Sequence, residues 1–85
     1  MTEVKLGRVK HYFGKVSVAI IICEDDGLFL GETLHIKGNT SDVTLKVESM
    51  QSEHREVSYV EKGRDVAVKV PDKVRMEDIV YKVKE

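Results

Sequence analysis

Gly63-Arg64-Asp65-Val66-Ala67-Val68-Lys69-Val70 decides the fold. Val66, Val68 and Val70 fall on one side of an extended chain, with Ala67 and Lys69 on the other. That period of two marks a half-buried strand. Gly63 opens the run as a turn, because glycine takes positive φ without a Cβ penalty. The same alternation recurs outward from this segment. Val16, Val18, Ile20 and Ile22 share a face opposite Ser17, Ala19, Ile21 and Cys23; Leu34 and Ile36 alternate with His35 and Lys37. Val43, Leu45 and Val47 alternate with Thr44 and Lys46, and Ile79, Tyr81 and Val83 with Val80, Lys82 and Lys84.

Turn residues bound these runs: Gly14, Asp25-Asp26-Gly27, Gly31, Gly38-Asn39, Gly63 and Pro71-Asp72. Fourteen valines against two alanines and five leucines reinforce the strand reading, since β-branched side chains pack well on pleated surfaces. No helix suggests itself. Asp25 to Glu32 holds two glycines, and Ser52 to Glu61 lacks an apolar stripe. The expectation is an all-β fold over residues 1–85 as one domain, a closed six-stranded Greek-key barrel. Closure would remove the sheet edges that invite aggregation. Val16, Val18, Ile20, Ile22, Val66, Val68 and Ile79 are the expected core, with Leu34, Ile36, Val43, Leu45 and Val47.

The 85 residues suffice for one domain, and 34% charged with 41% hydrophobic residues is a globular balance. The longest apolar run, Val18 to Cys23, is far short of the roughly 20 residues of a bilayer-spanning helix. The N-terminus carries no apolar signal region, so a cytoplasmic location and no membrane contact are expected. A net charge of −1 argues against a general nucleic-acid-coating protein. Charge is nonetheless uneven, because residues 1–15 carry net +3 and residues 16–36 net −4. Either these are solvated strand faces, or Lys5, Arg8, Lys10 and Lys15 line a phosphate-facing groove turned away from Glu24, Asp25 and Asp26.

Catalytic and cofactor signatures are missing from the sequence. There is no G-x-x-x-x-G-K-[ST] loop, so GTP binding by this chain is not expected. His11, His35 and His54 lack metal-ligand spacing, and the single cysteine, Cys23, ends an Ile-rich strand as a buried thiol would. No enzyme activity, cofactor or metal is expected.

Three segments in order resemble the second domain of translational GTPases such as elongation factor Tu, initiation factor two and the selenocysteine-specific elongation factor. They are Gly7 to Ile20, read as strand, turn and strand; Leu30-Gly-Glu-Thr-Leu-His-Ile-Lys-Gly38; and Val47-Glu-Ser-Met-Gln51 followed by Val57, Val60 and Gly63 to Val70. The sequence departs from that pattern at Val18-Ala19, Val60 and Glu32. The resemblance implies a non-catalytic translation-factor-like module contacting tRNA or ribosomal RNA. Ser49, Met50, Gln51, Ser52, His54 and Arg55, with Lys62, Gly63 and Arg64, would form its nucleotide-end site, although Met50 reads equally well as packing. Similar barrels also occur as C-terminal modules of a peptidase-like family involved in RNA modification. The alternative is therefore an adaptor docking on a larger enzyme or on a translation or RNA-modification factor.

Overall fold

The computed structural model describes residues 2–84. Ten strands build it: β1 (Thr2–Phe13), β2 (Val18–Ile22), β3 (Leu28–Phe29), β4 (Thr33–Lys37), β5 (Asp42–Lys46), β6 (Met50–Ser52), β7 (Arg55–Glu56), β8 (Tyr59–Val60), β9 (Asp65–Lys69) and β10 (Ile79–Lys84). No helix occurs among the described residues. The all-β expectation holds, but the barrel does not close. Eight strands form one curled antiparallel sheet in the order β5-β4-β10-β1-β2-β9-β6-β7, and β3 pairs with β8 separately. Among the described residues β5 and β7 end that ladder without pairing to each other.

β1 is long because it serves two partners. Its first half pairs with β10 and its second half with β2. Bulges between Lys5 and Gly7 and between Val9 and His11 bend it from one partner to the other. Gly7 is required at that bend, where an added Cβ would stand 1.7 Å from the Ile22 carbonyl oxygen.

Directly opposed residues on neighbouring strands point to the same face, so the register assigns the core. Val9, Ile21 and Val66 lie side by side across β1, β2 and β9, all buried. Ala19 and Val68 make the next row. This reverses the expected face of β2: Ala19, Ile21 and Cys23 are inside, Val18, Ile20 and Ile22 are half-buried, and Val16 is exposed. Val18 to Cys23 is apolar on both faces, so its alternation contains no information about which side faces in. β10 is reversed too, with Val80 inside and Ile79 half-buried.

The inward neighbour of Val80 is Lys82, a buried lysine opposite Leu34. Its ammonium donates to the Gly27 carbonyl at 2.8 Å and pairs with Asp26 at 3.2 Å and Glu32 at 3.1 Å. Burial opposes the charge, but the bonds to Glu32 and Asp26 outweigh it and hold the Lys82 pKa above its ordinary value. Lys82 thereby ties the 24–32 loop to the sheet.

Candidate partner-docking surface

The residues expected to hold RNA do not form a free cationic groove. Lys5 pairs with Asp25 at 3.6 Å, and Arg8 lies between Glu24 at 3.3 Å and Glu77 at 2.9 Å. Lys10 pairs with Asp65 at 2.9 Å and Arg64 with Glu53 at 3.2 Å. Glu24 and Asp25, expected on the opposite face, are the partners of the basic strand itself. The cause is geometric: Asp25 N–H bonds the Leu6 carbonyl at 2.9 Å, folding the acidic turn onto β1. Lys15 is exposed in the β1–β2 turn.

Met50 is core, opposite Val68, so its ligand role is replaced by packing. Gln51 is exposed on β6 between Ala67 and Glu56. His54 stands at a hairpin tip, with Arg55 exposed after it on β7. That two-residue tip puts Glu53 at φ 53° and His54 at φ 65°, both in left-handed backbone that Asn-Gly would fit better.

The perturbed titratable groups among the described residues are engaged in packing and strand contacts. Among the described residues no three His, Cys, Asp or Glu side chains gather to hold a metal ion. The Cys23 thiol is fully buried, and desolvation, helped by nearby Asp65, pushes its pKa up to about 11. A thiol so held is a poor nucleophile. His35 bonds Asp42 and Glu3 through its two ring nitrogens, and these bonds raise its pKa. The imidazole thus clamps β1, β4 and β5 together.

An apolar surface that the sequence reading passed over stands out instead. Phe29, Leu30 and Tyr59 are 56%, 43% and 44% exposed, large values for side chains that prefer burial. They meet because β3 and β8 pair Leu28 with Val60 and Phe29 with Tyr59. Leu28 and Val60 go into the core and their partners go outward. The Phe29 and Tyr59 rings lie 4.4 Å apart, tilted by 39°. Glu32 accepts the Phe29 N–H at 2.8 Å, and Leu30 N–H bonds the Ser58 carbonyl at 2.9 Å. The patch is therefore built on fixed backbone. Its signal in the sequence was Phe29-Leu30 beside a glycine turn, apolar residues with no alternating run to absorb them.

No family model matches the chain. Over 84 residues it is 42% identical to a protein of Methanocaldococcus jannaschii named an uncharacterized protease, covering 98% of this chain and 20% of that protein. It is 31% identical over 81 residues to a collagenase of Porphyromonas gingivalis, again 20% of that protein. The chain thus spans about one fifth of the length of these relatives. Its fold matches the crystal structure of the C-terminal domain of a Geobacillus thermoleovorans protein described as a U32 peptidase. The TM-score is 0.84 at 17% identity, covering 93% of this chain and 91% of that one. The likeness is to that C-terminal domain, not to translation-factor domain 2. This overturns the translation-factor reading, with its RNA-binding function. The residues that suggested it, glycine turns among alternating valines, are what any small curled sheet needs.

Proposed function

We propose that this chain is a non-catalytic docking module for a larger enzyme of the U32-peptidase type, packing against it through Phe29, Leu30 and Tyr59. One observation carries the reading. In a 42% identical relative named a protease, the matching stretch is only 20% of the protein, so most of that protein lies outside this unit. The chain's own chemistry agrees, because its cysteine is buried with a raised pKa and its most buried histidine clamps strands. The apolar patch gives such a unit a place to pack, since exposed aromatic side chains contribute most per residue at an interface.

The experiment mixes the purified chain with a purified U32-peptidase-type protein of the same genome and measures binding by calorimetry. Binding is expected for the wild-type chain. For the double variant Phe29→Ser, Tyr59→Ser it should weaken by about 100-fold, or roughly 2.7 kcal/mol. Peptide cleavage by the chain alone, or binding that the double variant leaves unchanged, would overturn the proposal.

A further inference from the structure

The open end of the sheet is itself a built surface. Gly38 N–H bonds the Ser41 carbonyl and Val47 N–H bonds the Glu32 carbonyl, both at 2.9 Å, which fixes the phase of the β4–β5 ladder. Bonded pairs alternate along an antiparallel ladder, so Ser41, Val43, Leu45 and Val47 turn their backbone groups to the β4 side. Asp42, Thr44 and Lys46 turn theirs outward, and β5 is the last strand of its sheet. Three residues thus present N–H and C=O groups with no neighbouring strand among those described. Beneath them Val43 and Leu45 are 7% and 8% exposed, while every other apolar core side chain is at 3% or less.

Two depressions follow one another beside this edge. One of about 510 Å³ lies between residues 45, 46, 48 and 49 and residues 69–71, the other of about 350 Å³ between residues 40–43 and residues 72, 73 and 75. The 69–75 segment is therefore the far wall. Lys46, Lys69, Lys73 and Arg75 line the two depressions, and none of the four has an ion-pair partner among the described residues. Lys5, Arg8, Lys10, Arg64 and Lys82 are paired, whereas Lys15, Lys37, Arg55, Lys62 and Lys84 resemble these four in having no ion-pair partner among the described residues. What sets the four apart is that they converge on one edge from both walls. Three carboxylates also line the depressions: Asp42, bonded to His35; Asp72, which accepts the Lys73 N–H at 2.9 Å; and Glu48, exposed and without an ion-pair partner among the described residues.

We propose that this edge binds an extended acidic polypeptide segment, which adds to β5 as a further strand. Its backbone would pair with Asp42, Thr44 and Lys46. Its carboxylates, on alternate residues, would reach the four cations, and the residues between would cover Val43 and Leu45. This is strand addition, in which main-chain bonds give affinity and alternate side chains give selectivity. RNA would use the cations but leave the strand edge and the two apolar side chains unmatched. Charged side chains also guard an edge against self-pairing. A guard, however, needs no cations on the wall opposite, where Lys69, Lys73 and Arg75 stand. The site uses none of Phe29, Leu30 and Tyr59, so it does not depend on the docking proposal.

The test titrates the wild-type chain with fluorescein-labelled peptides of about ten residues, alternating valine with glutamate or valine with lysine, and with decauridine RNA. The glutamate peptide should bind at least about tenfold more tightly than either of the others. Amide hydrogen exchange at Asp42, Thr44 and Lys46 should slow about tenfold on its binding. The double variant Lys69→Glu, Lys73→Glu should lose that preference while its circular dichroism spectrum stays unchanged. Equal binding of the two peptides, tighter binding of decauridine, or unchanged exchange at the three amides would overturn the proposal. The Phe29→Ser, Tyr59→Ser variant should keep the peptide affinity, which separates this site from the docking face.

Discussion

Lys82 and Asp26, 56 positions apart in the chain, meet at 3.2 Å at the rim of the core, the lysine buried and the aspartate part-exposed. A lysine on the inward face of a strand survives there because the Gly27 carbonyl and the Glu32 carboxylate complete its shell. The 24–32 loop that this lysine holds contains Phe29 and Leu30, so a core interaction positions the surface proposed for docking.

Lys82→Met should therefore destabilise the fold by about 1–3 kcal/mol, a discounted figure because the carboxylate partners are partly solvated. Urea unfolding measures it. The variant should also loosen the 24–32 loop, visible as faster amide exchange at Phe29 and Leu30.

His35 makes stability depend on pH. Its folded pKa is raised by Asp42 and Glu3, so the stabilisation is complete below the ordinary histidine pKa of about 6.5. It is lost as pH rises through the raised value. Stability measured in urea should fall from pH 5.5 to pH 8.5, and His35→Gln should flatten that slope. Asp26 acts at the other end of the scale. Its pKa is lowered by the Gly27 N–H and by Lys82, so its contribution is present above the ordinary aspartate value of about 3.9 and is lost as pH falls through the lowered one.

Ile21→Ala should cost roughly 2–5 kcal/mol, as expected for a fully buried isoleucine between Val9 and Val66. Ile20→Ala, one residue away on the outer face, should cost about 1 kcal/mol. Equal losses in thermal unfolding would contradict the register described above.

Gly7→Ala should be far worse than Gly14→Ala. At Gly7 the new methyl group meets the Ile22 and Glu24 backbone, which cannot yield without opening the β1 bend. At Gly14 it meets only a Tyr12 ring carbon at 3.6 Å, an ordinary contact. Losses of about 3 kcal/mol and under about 0.5 kcal/mol are expected in urea titrations.

Strand content and most turns were legible in the sequence because alternation and glycine are local signals. Leu34, Ile36, Val43 and Leu45 were placed correctly, since each alternates with a polar neighbour. The faces of β2 and β10 were not legible. Val18 to Cys23 is apolar throughout, and Lys82 reads as an outward residue until Asp26 and Glu32 are brought to it by the fold. The charge pattern misled for a related reason: Lys5 and Asp25 are twenty residues apart, and their pairing depends on a bulged strand. The open β5 edge was hidden too, because whether a curled sheet closes depends on strand lengths and bends that no local pattern encodes.

Cys23 gives the fold a reporter of its own opening. Its N–H bonds the Arg64 carbonyl at 3.0 Å and its carbonyl accepts the Gly63 N–H at 2.6 Å, so the thiol sits where the ends of two central strands are joined. A thiol reagent in solution reacts with it only in molecules where that junction has come apart. The labelling rate of the unmodified chain, set against the rate of a free thiol, therefore counts the fraction of molecules open at that seam at any moment.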